Sequence, residues 1–472
     1  MRPLEILAVC LLSLVGIILA ASRHRLRWPR LILAASVCVL TLHTWIEGPH
    51  WQMAPAYLSL LLLAAACWIH SNLARRLLAG TALLSLAAAV VLCSALPMFK
   101  LPKPSGPYSL GSTIFSLTDP NRSEDAVNDG TKREIVVQAW YPTENAHGRI
   151  TPYRRWAETT LASSYEHFIP THAYLNSDIA SNGTPFPVLL FEPAMYGRRS
   201  EYVFLVEELA SHGYVVFVID HPYNSGPVQL SGGKVIQPPP ASIVEHLGSV
   251  GVEGFYQRVE PELEKQTADT LFLLDTLTRW KADPSSRFYR RLDLTRVGAI
   301  GHSLGGSVAA EAAARDPRIR AVFDMSGPLF GQARKSGIQA PFFFLTEEVP
   351  MPDNAELSRL GPDDRVGSEV NITYMRDISA MLARNGGYYA ELPIGNHSVF
   401  TDRGLYSPFM RFAGEDPAVT RRLHEVIIRY AVAFFQETLQ DRPSSLLSQQ
   451  PSPFPGVTFR RTIASHSIPP PA

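Results

Sequence analysis

The chain lacks an excess of charge of either sign, and it lacks cysteine after position 93. Lys and Arg number 43 together, as do Asp and Glu, so the formal net charge is zero. No basic run occurs in the polar part, which argues against a nucleic-acid partner. Each of the four cysteines lies in a separate apolar run: Cys10, Cys38, Cys67 and Cys93. The polar part therefore has neither a disulfide framework nor a cysteine-bound metal, and we predict no metal and no other cofactor.

Long apolar runs are present instead, and all of them lie in residues 1–98. They cover residues 4–21, 31–45, 54–69 and 77–98. Because a bilayer needs roughly 20 apolar residues per helix, these runs predict a membrane anchor of about four transmembrane helices. The second run is short and contains Thr41, His43 and Thr44, so three spanning helices are the alternative.

Arginines in the connections between these runs predict the orientation of the anchor. The first connection contains four and the third contains two: Arg23, Arg25, Arg27, Arg30, Arg75 and Arg76. Positive connections stay in the cytoplasm, so the residues after 98 are expected outside it, in a bacterial inner membrane protein. If the second run does not span, the predicted side reverses. A cleaved signal peptide over 1–21 is a poorer interpretation, since arginines would follow its cleavage site directly.

The pattern changes after a proline-rich linker at residues 99–106. Over residues 107–440, short apolar runs alternate with helical periodicity, which predicts a mostly parallel sheet covered by helices on both faces. The predicted strands are 135–140, 188–191, 214–219, 297–300, 321–323, 342–345 and 388–392, and the clearest helices are 201–211, 262–280, 304–315 and 421–438. Residues 441–472, rich in Ser and Pro, are interpreted as a tail.

A candidate nucleophile lies in the sequence Gly301-His302-Ser303-Leu304-Gly305, between a predicted strand and a predicted helix. A serine on such a tight strand-to-helix turn is exposed at the carboxyl edge of the sheet, and its neighbours must be small because backbone passes close by. This placement predicts an α/β-hydrolase fold in which Ser303 is the nucleophile.

A serine nucleophile needs a base, and the acid and the base follow the serine along the chain in this fold. His397, in the loop after the last predicted strand, is the preferred base over His424 and His466. The acid is left open by the residues alone, since Asp324, Glu347 and Glu348 all end predicted strands.

Two backbone N–H groups should stabilise the oxyanion of an ester intermediate. One is expected from Leu304, which follows the nucleophile. The other is expected from residues 193–197, and because Pro193 has no N–H, Met195 or Tyr196 is the better donor.

Taken together, these segments resemble the platelet-activating factor acetylhydrolase family, of the lipoprotein-associated phospholipase A2 type, in a bacterial membrane-anchored form. The resemblance rests on Gly106-Pro107-Tyr108-Ser109-Leu110-Gly111, Trp140-Tyr141-Pro142, Leu209-Ala210-Ser211-His212-Gly213-Tyr214-Val215-Val216, Asp220-His221-Pro222 and Gly301-His302-Ser303-Leu304-Gly305-Gly306. It covers residues 105–440, and the apolar anchor lies outside it.

The resemblance implies calcium-independent hydrolysis of the sn-2 ester of phospholipids with short or oxidised acyl chains. It implies that Asp324 is the acid, His397 the base and Met195 the oxyanion donor of the first loop. The chain departs from the family where relatives commonly carry Ser-His-Gly or Ser-Pro-Gly, since Glu192-Pro193-Ala194 stands there. The expected partner is a lipid or small ester.

Two other functions compete with a lipid-ester hydrolase. The same triad could pass an acyl group to an alcohol, which would make the protein an acyltransferase. The chain could also be an inactive membrane sensor or scaffold, although Ser303, Asp324 and His397 are all present. Residues 229–256 and 349–368 are loop-like, and we predict that they cover the site as a lid.

Overall fold

The computed structural model describes residues 1–22, 27–127, 129–181, 183–239 and 243–464. Contacts within the chain divide it into two compact units. The first contains Met1–Leu101, Pro152–Pro170 and Gly404–Pro417, and the second contains the rest. The first boundary falls inside the predicted linker. The unit that contains the apolar N-terminal helices thus also includes two segments that the sequence assigns to the catalytic domain, whose bounds stay a prediction.

Four helices form the core of the first unit: α1 (Pro3–Ala21), α2 (Trp28–Ile46), α3 (Ala54–Trp68) and α4 (Asn72–Ala95). By length and composition all four could cross a membrane. Small side chains fill much of the space between them, and the Ser59 hydroxyl donates to the Ala82 carbonyl at 2.8 Å. Small residues allow close approach of apolar helices. Large apolar side chains such as Leu84 and Ile17 face outward, as a bilayer would require.

The second apolar run is longer in the structure than in the sequence-based assignment. Helix α2 has 19 residues because Trp28, Pro29 and Arg30 form its first turn. The buried His43 imidazole lies 3.0 Å from the Glu47 carboxylate and 2.9 Å from the Tyr57 hydroxyl. These contacts satisfy the polar group that weakened the prediction of a second span.

Eleven strands of the described chain form one sheet, in the order β13-β12-β11-β10-β9-β5-β6-β2-β1-β4-β3. The strands are β1 (Ser109–Ser123), β2 (Lys132–Thr143), β3 (Ile150–Pro152), β4 (Pro170–Leu175), β5 (Phe186–Glu192), β6 (Val215–Asp220), β9 (Leu292–His302), β10 (Ile319–Met325), β11 (Phe342–Glu347), β12 (Gly387–Leu392) and β13 (Thr458–Thr462), while β7 (Val228–Gln229) and β8 (Val235–Ile236) form a separate hairpin. Strands β6, β5, β9, β10, β11 and β12 are parallel to their neighbours in this order. All seven predicted strands are confirmed. Six of them are parallel and have their carboxyl ends at one edge, whereas β2 runs antiparallel to β6.

The remaining helices are α5 (Val203–Ser211), α6 (Gly251–Ala282), α7 (Leu304–Arg315), α8 (Gly331–Ser336), α9 (Asn354–Leu357), α10 (Pro362–Asn385) and α11 (Pro417–Leu439). The α/β-hydrolase fold is therefore confirmed. Helix α6 begins earlier than predicted because Tyr256 and Val259 continue its buried face. Helix α10 was not predicted, and its first residues, 362–368, fall in the segment 349–368 that was interpreted as loop-like. Its buried positions do recur at helical spacing: Val366, Val370, Tyr374, Ile378 and Met381.

The predicted Ser/Pro-rich tail is partly structured, so that interpretation was wrong for residues 458–462. Strand β13 pairs antiparallel with β12. The ring centroid of Phe459 lies 5.2 Å from that of Tyr430, and Phe454 packs 5.4 Å from the same ring. Composition failed here because a few large apolar side chains decide whether a segment is buried. Residues 465–472, including His466, lie outside the described residues.

We predict that Phe459→Ala lowers the free energy of unfolding by about 3 kcal/mol, the usual cost of removing a buried ring. Thermal or denaturant unfolding of the full chain in detergent would measure the change. Arg460→Ala, one residue along and exposed, is the control and should change stability by less than about 0.5 kcal/mol. Equal stability of both variants would show that β13 is not part of the stable fold.

Candidate active site

Ser303 lies on a strained turn between β9 and α7. Its φ is 57° and its ψ is −125°, a conformation that few residues other than glycine adopt and that costs of order 1–3 kcal/mol. The Ser303 N–H donates to the Met325 carbonyl at 2.8 Å, and the Ser303 carbonyl accepts from the Ser307 N–H at 3.2 Å. Backbone hydrogen bonds at its N–H and at its carbonyl thus hold Ser303 in this strained conformation.

The glycines around Ser303 are required by close backbone approach, as the sequence predicted. A Cβ at Gly301 would lie 2.1 Å from the Gly305 carbonyl oxygen. A Cβ at Gly305 would lie 2.1 Å from the Glu192 carbonyl oxygen. Both distances are far inside van der Waals contact, so no larger residue fits without moving the turn.

His397 opens a short helical turn after β12, and its partner is Glu347. The His397 Nδ1 lies 2.8 Å from Oε1 of Glu347, the last residue of β11. Burial alone would raise the pKa of Glu347, but the hydrogen bond with His397 brings it below its usual value. A carboxylate in this position holds the imidazole in one orientation.

Asp324 does not make the contact with His397 that the family resemblance implied. It ends β10 fully buried, where Oδ1 accepts the Gly327 N–H at 2.7 Å and Oδ2 has no partner in the described part of the chain. Burial raises its pKa well above the usual range, although the Gly327 N–H opposes the shift. Burial thus favours the protonated form of Asp324.

Strand order explains why Glu347, and not Asp324, reaches the histidine. Strand β11 lies between β10 and β12, so its carboxyl end is next to the loop that carries His397. The end of β10 is one strand further away, about 5 Å in the plane of a sheet. Glu348, the other candidate, is exposed, and its N–H donates to the Ile394 carbonyl at 2.8 Å. The sequence offered no signal for strand order and so left the acid open.

Ser303, His397 and Glu347 line one cavity of about 430 Å³. Both predicted lid segments contribute to its wall: Val244, Leu247 and Phe255 from the first, and Val349, Pro350 and Gly367 from the second. The lid hypothesis required both segments near Ser303, and the structure meets that requirement. Residues 240–242 of the first segment lie outside the described chain.

The two expected oxyanion donors are unoccupied backbone N–H groups. Leu304 is the first residue of α7, and Met195 lies in a turn closed by the Gly197 N–H on the Ala194 carbonyl at 2.8 Å. Neither Leu304 N–H nor Met195 N–H meets an acceptor among the described residues. The Ala194 N–H, by contrast, donates to the Tyr202 hydroxyl at 2.9 Å. The side chains of Met195 and Leu304 pack in the same hydrophobic cluster.

The other nearby histidines are structural. His424, an alternative base in the sequence, is fully buried, and burial lowers its pKa to about 3. Its Nε2 lies 3.1 Å from the carbonyls of Val399 and Thr401, so it supports the turn that begins at His397. Burial also lowers the pKa of His302 well below its usual range, and the Tyr202 hydroxyl lies 3.1 Å from its Nδ1. Both imidazoles are neutral.

Comparison with known proteins shows similarity to esterases. Residues 94–231 match the family model of platelet-activating factor acetylhydrolase, isoform II. A probable 1-alkyl-2-acetylglycerophosphocholine esterase from Arthroderma benhamiae is 25% identical over 284 residues, 56% of this chain and 67% of that protein. The platelet-activating factor acetylhydrolase of Cavia porcellus is 25% identical over 276 residues, 52% of this chain and 60% of that protein. The chain thus matches roughly two thirds of the length of these relatives.

A solved structure, the ferulic acid esterase from Streptomyces cinnamoneus, has a TM-score of 0.58 to this chain. It is 25% identical and covers 76% of this chain and 99% of its own. The fold, the serine turn and these relatives define an α/β-hydrolase of the serine-esterase class. Within that class, the chain is similar to the platelet-activating factor acetylhydrolase family, whose model matches residues 94–231.

The raised pKa of Asp324 predicts a pH-dependent cost in stability. The folded chain keeps this proton at pH values where the unfolded chain loses it, so the free energy of unfolding falls with rising pH by up to about 1.4 kcal/mol per unit. Asp324→Asn removes the titrating group. The midpoint of thermal unfolding of this variant, relative to wild type, should therefore rise as the pH increases above about 4, the unfolded pKa of an aspartate.

The control for this measurement is Asp441→Asn, which changes an exposed carboxyl. Its midpoint should differ from wild type by the same amount at every pH. A pH-independent difference for Asp324→Asn as well would mean that Asp324 is ionised in the folded protein.

Proposed function

We propose that the chain is a membrane-anchored carboxylic ester hydrolase that acts through an acyl-enzyme on Ser303. The observation that carries this proposal is the His397–Glu347 pair at 2.8 Å, which faces the same cavity as the strained Ser303 turn. An imidazole paired with a carboxylate, lining the same cavity as a serine whose backbone is fixed, is the arrangement that activates a serine nucleophile.

In the proposed mechanism, His397 Nε2 takes the proton of the Ser303 hydroxyl as its oxygen attacks the ester carbonyl carbon. Glu347 keeps the other proton of the ring on Nδ1 and stabilises the imidazolium that forms. The N–H groups of Leu304 and Met195 bind the oxyanion of the tetrahedral intermediate. His397 then gives its proton to the leaving alcohol, and water releases the acid from Ser303 by the same steps in reverse.

The cavity favours a lipid or another ester with a small acyl group. Its wall is largely apolar, with Val244, Leu247, Phe255, Val349 and Val370 among the lining residues. A volume of about 430 Å³ lies near the lower end of small-molecule sites, which suits a short acyl chain. The names of the relatives, an acetylglycerophosphocholine esterase and a ferulic acid esterase, are compatible with this substrate class.

The anchor is proposed to span a bacterial inner membrane with the hydrolase on the extracytoplasmic side. Contacts of the arginines in the first and third connections support the proposal that both connections lie at the same end of the helical anchor. The Arg75 guanidinium donates to the Ser22 carbonyl at 2.7 Å, and the Arg30 guanidinium donates to the Cys67 carbonyl at 3.2 Å. Arg30 also lies over the Trp68 ring at 4.4 Å. Two positive connections at one end favour the cytoplasm for that end; Arg23 and Arg25 lie outside the described residues.

We predict that a fluorophosphonate probe labels the wild type in membranes and does not label Ser303→Ala. Glu347→Gln should slow labelling and ester hydrolysis by at least about 100-fold, because the amide cannot stabilise the imidazolium. The matched variant Asp324→Asn should slow both by less than about 10-fold, below the 10²–10⁴ range typical of acid–base groups.

Reversal of this order would transfer the acid role back to Asp324. A folded wild type without labelling would favour the sensor or scaffold. Product analysis with an added alcohol separates the remaining alternative, since an acyltransferase would form the new ester in preference to the free acid.

The topology is tested with single cysteines in a chain whose four native cysteines are replaced by alanine. Lys234→Cys, on an exposed loop of the hydrolase unit, should react with a membrane-impermeant maleimide in intact cells. Arg76→Cys, exposed at the start of α4, should react only after the membrane is permeabilised. The opposite pattern would place the hydrolase in the cytoplasm.

A further inference from the structure

A buried charged cluster lies directly behind the turn that carries Met195, and the mechanism above does not use it. Glu192, the last residue of β5, has no exposed surface, and its Oε2 lies 2.9 Å from Nε2 of His221. The other ring nitrogen of His221 lies 2.8 Å from Asp269 of α6. The remaining carboxylate oxygen of Glu192 accepts from the Thr270 hydroxyl at 2.7 Å.

His221 carries a positive charge in this cluster. Burial alone would lower its pKa, but its hydrogen bonds with Asp269 and Glu192 raise the pKa to about 9. Arg133 donates to the carboxylate of Asp269 at 2.6 Å, and Arg122 donates to it at 2.6 Å from a second strand. The charged groups that face His221 are thus the two carboxylates, with the two guanidinium groups behind Asp269. The His221 imidazolium is fixed against Glu192 because both of its ring nitrogens are hydrogen-bonded.

Glu192 connects this cluster to both parts of the oxyanion site. Its carbonyl oxygen lies so close to Gly305 that a Cβ there would be 2.1 Å away. The next residues, Pro193 and Ala194, lead directly into the turn with the free Met195 N–H. The side chain of Glu192 is therefore fixed by β6 and α6, while its backbone touches the serine turn.

We propose that the buried Glu192–His221 ion pair positions the turn that presents the Met195 N–H to the oxyanion. The inference rests on the proposed function, because it assigns positioning residues for that reaction. It also gives a role to Glu192-Pro193-Ala194, where this chain departs from its relatives. The ion pair is complete below about pH 9 and is lost as the pH rises through that value, since His221 then loses its proton.

Glu192→Gln tests the proposal because it keeps the size of the side chain and removes its charge. The control is Glu207→Gln, which removes the charge of a second buried glutamate paired with a histidine: Glu207 lies 2.7 Å from His172, whose side chain is 34% exposed. That pair has no contact with the oxyanion turn among the described residues. Both variants remove the charge of a buried carboxylate, so both include the effect of that loss on folding and stability.

Rates are measured per active site, counted with the fluorophosphonate probe after complete reaction. For Glu192→Gln we expect kcat to fall about 10- to 100-fold, less than complete loss of an oxyanion donor, with KM within about threefold because ground-state binding does not use the hole. The affinity for an alkyl boronic acid, whose tetrahedral adduct places an oxygen in the hole, should fall by the same factor. Any fall in the wild-type rate that follows the loss of the ion pair near pH 9 should be absent from this variant, because no Glu192–His221 ion pair remains to be lost. Glu207→Gln should keep the wild-type kcat.

A wild-type kcat per titrated site in Glu192→Gln would overturn the proposal and leave the pair a purely structural role. If that variant does not fold, the double variant Glu192→Gln/His221→Gln replaces it, since no unpaired charge then remains in the pair. It should show the same loss of kcat, and a normal kcat would again overturn the inference. Failure of the wild type to react with the probe would contradict the proposed function itself, which keeps the two failures distinct.

Discussion

The backbone conformation of Ser303 is the constraint on which the rest of the site depends. A non-glycine residue at φ 57° and ψ −125° is stable only if its surroundings permit no alternative. Here the Met325 carbonyl binds its N–H from the neighbouring strand, and Gly301 and Gly305 let the strand and helix approach to distances that a Cβ would prevent. The same turn fixes the position of the Leu304 N–H, so one backbone conformation positions both the proposed nucleophile and one proposed oxyanion donor.

The order of strands in the sheet is the second constraint, and it decides which carboxyl group is useful. Periodicity was sufficient to predict all seven central strands and to place Ser303 between β9 and α7, because buried parallel strands are continuous apolar runs. It could not show that β11 lies beside β12, and that neighbourhood brings Glu347 to His397. The acid was therefore the part of the triad that the sequence left open, and the family resemblance favoured a residue one strand too far away.

Two other features were not predicted from the sequence, for a related reason. Composition assigned residues 441–472 to a tail, yet Phe459 and Phe454 pack against Tyr430. A loop-like composition around Gly367 hid the helical spacing of Val366, Val370 and Tyr374 in α10. In both segments a few apolar side chains outweigh many polar ones, since burial depends on the area removed from water and not on average polarity.

Three buried carboxyl groups near the carboxyl edge of the sheet show how surroundings set the chemistry of one residue type. Asp324 binds no cation in the described part of the chain, and burial raises its pKa well above the usual range. Glu347 has a lowered pKa because it hydrogen-bonds with His397. Both oxygens of Glu192 are engaged by His221 and Thr270. Burial is common to all three, so burial alone predicts none of their roles. The partner of each carboxyl group determines its role. Without a cationic partner, burial favours the protonated form, as in Asp324. A carboxylate paired with an imidazole at the cavity can support catalysis, and one paired with an enclosed imidazolium can hold the backbone in place.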